Sequence, residues 1–111
     1  MGNPVISSER VEGTAVYNPD GDKLGSIDDL IIDKRSGLVR YAALEFGGFL
    51  GMGKERYPVP WSMLTYDTVR DGYVIPLQKA QLEKAPRYDE TEPDYTDDYG
   101  RRVYEHYGVS W

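Results

Sequence analysis

The stretch FGGFLGMGKERYPVPW, residues 46 to 61, sets Gly48, Gly53 and Lys54 at the spacing of a phosphate-cradling G-x-x-x-x-G-K loop. That chemistry needs backbone donors around the phosphate and the lysine charge. It also needs a following Ser or Thr hydroxyl for magnesium, and a helix whose N-terminus faces the anion. Here Lys54 is followed by Glu55, which repels phosphate, and Pro58 and Pro60 exclude a helix interior just beyond. The glycines read better as a tight turn between strands.

A second stretch, NPDGDKLGSIDD, suggests calcium. Asn18, Asp20, Asp22, Ser26 and Asp29 fall at positions 1, 3, 5, 9 and 12 of a twelve-residue loop. The glycine that such a loop needs at position 6 is Lys23, and the flanks have strand character instead of helical character. A hairpin turn with solvated carboxylates is the simpler reading.

His106 is the single histidine, and Glu105 beside it makes neither a metal site nor an acid–base pair. Asp28, Asp29 and Asp33 could serve a carboxylate hydrolase only if two of them faced one cleft, and the sequence indicates none. Trp61 and the C-terminal tyrosines could stack bases, but without basic partners they are expected in a core or an interface. No catalytic, cofactor-binding or metal-binding residue is assigned, and no enzyme activity is expected.

These residues are carried by strands joined at turn formers. VEGTAVY is β-rich and runs into NPDGDK; LGSIDDLIID follows, then KRSG, whose Gly37 can supply a left-handed turn residue. LVRYAALEF is apolar on both faces, which predicts a central strand covered on both sides. In RYPVPW, Tyr57, Val59 and Trp61 share one face at a period of two and are expected in the core. Pro58 and Pro60 take the alternate positions and lack backbone donors, so this is an edge or barrel-rim strand. TVRDGYVI places Asp71-Gly72 where a two-residue type I′ hairpin turn is expected.

LQKAQLEKA then predicts one short helix ending before Pro86. Beyond it, Tyr95, Tyr99, Val103 and Tyr107 recur every four residues and would line one side of a further helix. Gly100 weakens that helix by about 1 kcal/mol relative to alanine, and Gly108 would end it. The tail is acidic but aromatic, unlike disordered acidic tails, and is expected to dock on its own barrel or on a partner. Phe49, Leu50 and Met52 in the glycine turn also need cover, from the barrel end or from another molecule. The candidate interface is therefore Phe49, Leu50, Met52, Tyr95, Tyr99 and Tyr107.

The 111 residues include no cysteine, which excludes disulfides, thiolate metal sites and cysteine nucleophiles. The net charge is −6; residues 1 to 85 contribute −2 and residues 86 to 111 contribute −4. No Lys/Arg cluster is available to neutralise phosphates, so direct nucleic-acid binding is not expected. Apolar runs fall far short of the roughly 20 residues of a membrane helix, no secretory signal is visible, and a cytoplasmic location is expected.

The segment GTAVYNPDGDKLGSIDDLIIDKRSGLVRYAALEFGGFLGMGKERYPVPWSML resembles the PRC-barrel family, through the order and spacing of its glycines, its Ser-Gly turn, Gly-Gly-Phe-Leu-Gly and the VPW strand. The tail is similar to the aromatic, acidic extension of stand-alone bacterial members. The resemblance implies a mainly β fold: a small, bent antiparallel barrel over residues 8–77, after an extension at 1–7. A C-terminal helix and docking tail follow at 78–111. Family relatives include the cytoplasmic domain of the photosynthetic reaction-centre H subunit and the C-terminal domain of the ribosome maturation factor, where the barrel serves binding and assembly. The function implied is a non-enzymatic interaction or assembly module, self-associating and without cofactor. The alternatives are an adaptor in ribosome or RNA metabolism that binds ribosomal proteins, and a small-molecule-binding barrel.

Overall fold

Strand after strand follows its turn formers in the computed structural model, which describes residues 5–46, 55–88 and 91–111. A short helix α1 (Ser8–Val11) leads into β1 (Ala15–Tyr17), β2 (Lys23–Ile32), β3 (Val39–Phe46) and β4 (Arg56–Pro60). A 3-10 turn (Trp61–Met63) precedes β5 (Thr65–Asp67) and β6 (Gly72–Val74), and α2 (Lys79–Glu83) and α3 (Asp97–His106) complete the order. The strands form one six-stranded sheet in the order β4-β3-β2-β1-β6-β5.

Two expectations about this sheet need correction. It is mixed instead of antiparallel, because β1 and β6 pair in parallel, Val16 with Tyr73 and Tyr17 with Val74. Strands joined by a tight turn must run antiparallel, but β1 and β6 are far apart in sequence, so no turn dictates their sense. Nor does the hydrogen-bonded ladder close among the described residues: β4 and β5 stand at its two ends. At the β4 end, the Arg56 N–H donates to the Tyr88 carbonyl and the Arg56 carbonyl accepts the Tyr88 N–H in return, away from β3. Positions 58 and 60 have the same parity, so their ring nitrogens sit on that outer side, where the missing donor costs no ladder bond.

The sheet is curled by irregularities in register. Between the pairs Val16–Gly25 and Tyr17–Lys23 the residue Leu24 is left over, and between Ile27–Leu44 and Asp29–Ala43 it is Asp28. Each extra residue bends the strand and flips its alternation. That is why Leu24 and Ile27, three positions apart, both reach the main core, with Leu30 packed against it. The core also takes Val16, Ala42, Leu44, Tyr57, Val59, Tyr73, Ile75 and, from α2 and just beyond, Leu82 and Ala85. Trp61 leaves the strand for the 3-10 turn and packs at the edge of this core, its ring 5.5 Å from that of Tyr73.

The turns show which local signals carried. Gly37 takes φ of +76°, and the Asp33 carboxylate accepts the Arg35 and Ser36 N–H groups, which holds its pKa below the usual carboxylate value. Asp71-Gly72 does not form a two-residue turn. Gly72 pairs with Asp67 as the first residue of β6, and residues 68–71 form the loop. Asp71 alone takes the left-handed conformation, with φ of 53°, while Asp67 accepts from the Val69 and Arg70 N–H groups. Glycine is required at 72 for space: a Cβ there would meet the Ala15 carbonyl oxygen at 2.8 Å.

Candidate interaction surface

β3 is buried on both faces. Ala42 and Leu44 face the main core, while Tyr41 joins Val103 and Tyr104 in a second apolar cluster under α3. Pro60 and Pro58 pair with Tyr41 and Ala43 in register and are themselves fully buried, so both faces of this strand pair are covered, although β4 is at an edge.

The helix that covers the second face is well terminated. Thr96 caps its N-terminus by accepting the Tyr99 N–H at 3.2 Å, and Asp97 and Asp98 lie in the first turn, where the helix dipole favours negative charge. At the other end Gly108 takes φ of +70°, its N–H donates to the Glu105 carbonyl, and the Val109 N–H reaches back to Tyr104. This is a Schellman stop, with Val109 packed into the same cluster as Tyr104.

Of the candidate interface residues, Tyr95, Tyr99 and Tyr107 are brought together here, half-buried around Tyr41, Val103 and Tyr104. Tyr41 stacks at 5.3 Å on Tyr95 and edge-on at 5.7 Å to Tyr104; Tyr95 meets Tyr99 at 5.7 Å. The tail thus docks on its own sheet. Phe49, Leu50 and Met52 lie outside the described residues, as does the Gly48, Gly53 and Lys54 pattern.

Polar contacts within this cluster are uneven. The Tyr104 hydroxyl donates to the Arg40 carbonyl oxygen at 2.8 Å. The buried hydroxyls of Tyr41, Tyr95 and Tyr107 have no hydrogen-bond partner among the described residues. Tyr88 is the polar neighbour of Tyr95, but the pair falls short of hydrogen-bond geometry. Burial pushes the Tyr41 hydroxyl up to about 12, with the Tyr104 hydroxyl adding to the effect. Burial also raises Tyr95, Tyr99, Tyr104 and Tyr107.

Four residues central to this surface escape sequence reasoning: Arg40, Tyr104, Gly100 and Trp111. Arg40 is the residue skipped between the pairs Ile31–Tyr41 and Ile32–Val39, and its guanidinium lies 4.8 Å from the centre of the Trp111 ring. Trp111 also stands edge-on to Tyr104 at 5.1 Å. Gly100 leaves the room for it. The one available signal was a glycine inside an otherwise helical pattern, which marks close packing as readily as weakness.

Around Tyr41, Tyr95 and Trp111 opens a groove of 430 Å³ whose rim carries Lys34, Arg35 and Arg40. A broader hollow of 670 Å³ lies between Met63, Val74, Leu77, Gln81 and Tyr107. Neither gathers a set of groups suited to bond-making. Asp28 is ion-paired with Arg56, Asp29 accepts the Leu30 N–H, and Asp33 holds its hairpin, so these carboxylates have separate structural tasks. His106 lies 3.4 Å from the Gln81 carbonyl oxygen. The Asn18 side-chain oxygen accepts the Asp22 N–H, while Ser26 and Asp29 lie on β2, so the calcium-like spacing does not become a loop. Among the described residues no group of three or more His, Asp or Glu side chains could hold a metal, and no helix is long and apolar enough to cross a membrane.

The family model described as the PRC-barrel domain matches residues 4–82. An uncharacterized protein of Deinococcus radiodurans is 28% identical over 88 residues, covering 79% of this chain and 28% of that protein. The chain therefore spans less than a third of the length of that relative.

Proposed function

The chain belongs to the PRC-barrel domain family, and from that premise we propose that it is a non-enzymatic interaction and assembly module that associates with itself and acts in the cytoplasm. The observation that carries the reading is the docking of an aromatic helix on the outer face of β3 and β4. A small sheet with both faces engaged is a rigid platform, and a surface that presents clustered aromatic and cationic side chains is the usual material of protein interfaces. The six candidate residues Phe49, Leu50, Met52, Tyr95, Tyr99 and Tyr107 remain the proposed apolar anchors. The carboxylates of Asp28, Asp33 and Asp67 serve turns and ion pairs, which supports binding over catalysis.

Size-exclusion chromatography with light scattering tests the self-association, and an affinity pull-down from the native cell tests the partner. Concentration-dependent assembly, or a reproducible protein partner, is expected; a monomer at all concentrations that captures nothing overturns the reading. An adaptor for basic ribosomal proteins is the second reading, supported by the exposed acidic residues Glu92, Asp94, Asp97 and Asp98. It predicts ribosomal proteins in the pull-down after nuclease treatment.

A further inference from the structure

One surface combines opposite charges around an open aromatic floor. The β2–β3 hairpin lines the 430 Å³ groove with Lys34, Arg35 and Arg40. A second segment lines it with Tyr95 and Asp97, and in that segment Glu92, Asp94, Asp97 and Asp98 are all exposed. Among the described residues Lys34 and Arg35 make no ion pair, in a protein whose net charge is −6. Asp33, the acidic group nearest to them in sequence, is held by the hairpin's own N–H groups.

Apolar surface is exposed at the same place. Ile32, 48% exposed, and Trp111, 42% exposed, line the groove, and Leu38, 63% exposed, lies on the same hairpin, its carbonyl accepting the Asp33 N–H. Cationic and acidic segments that meet at one groove suit a two-fold axis, since such a contact must be self-complementary. A rotation about the groove sets each copy's cations against the other copy's carboxylates.

We propose that this groove is the seam of a two-fold dimer, in which Lys34 and Arg35 of each copy pair with the acidic segment 92–98 of the second copy over Ile32, Leu38 and Trp111. The inference rests on the self-association proposed above and names its surface. Exposed ion pairs contribute little singly and are screened by salt. The apolar seam therefore supplies the contact, and the charges select its orientation and partner.

The test is a charge exchange in the full chain, read by sedimentation and light scattering, with circular dichroism as the check on folding. The wild-type chain should dimerise at low salt, and dimerisation should weaken as salt rises towards about 1 M, where the Debye length falls to about 3 Å. The double variant Lys34→Glu/Arg35→Glu and the double variant Glu92→Lys/Asp94→Lys should each dimerise at least about tenfold more weakly, a difference near 1.4 kcal/mol. Mixed together, they should recover a heterodimer. A wild-type dimer that ignores both reversals, or a mixture that does not recover, overturns this seam while leaving self-association standing. A chain that stays monomeric overturns it as well, and a foreign acidic protein captured through Lys34 and Arg35 would then identify the groove's occupant.

Discussion

Gly100 lies against Trp111 with no space for a side chain between them: a Cβ built on Gly100 would overlap the indole ring and come within 2.5 Å of the Tyr41 hydroxyl. A glycine that costs the helix about 1 kcal/mol by propensity is here the condition for docking the end of the tail.

Gly100→Ala is accordingly expected to bring no gain in stability, although the same change in an exposed helix would add about 1 kcal/mol. The displaced Trp111 should show as a red shift of its emission. Denaturant titration followed by fluorescence measures both, and a stabilised variant with unchanged emission would contradict the packing.

Two tyrosines of the same cluster should respond in opposite ways to loss of their hydroxyl. Tyr104→Phe removes the bond to the Arg40 carbonyl and should cost about 1 kcal/mol. Tyr41→Phe removes a buried hydroxyl that has no partner among the described residues and should be neutral or stabilising. Parallel urea titrations check the contrast.

Gly72→Ala should destabilise by about 1–3 kcal/mol, the usual range for overpacking, because the new methyl meets the Ala15 carbonyl and the Tyr17 ring. Thermal melts of Gly72→Ala against Asp71→Asn separate space from turn conformation, since Asn tolerates the left-handed φ that Asp71 adopts.

At high pH the buried tyrosines should limit stability. The Tyr41 pKa is raised to about 12 in the folded protein, against about 10 unfolded, so the folded state holds its proton more tightly. Its contribution is fully present below about pH 10 and is lost as pH rises through about 12. At low pH the signs reverse for Asp33 and Asp67, whose backbone hydrogen bonds depress their pKa values; what they contribute is lost as pH falls below the normal carboxylate range. Tyrosinate absorbance recorded with circular dichroism should show ionisation and unfolding together on the alkaline side, and Tyr41→Phe should move that limb to higher pH.

The sequence by itself determined what depends on neighbours along the chain. A donor absent at Pro58 and Pro60 marks an edge, a left-handed φ at Gly37 and Gly108 marks a turn and a helix stop, and the Tyr99, Val103, Tyr107 spacing marks a helix face. Only the tertiary structure decided the parallel pairing of β1 with β6, the skipped residues Leu24, Asp28 and Arg40, and the space demanded at Gly72 and Gly100. Those depend on residues distant in sequence, whose register and clearance arise from packing and leave no periodic trace in the chain.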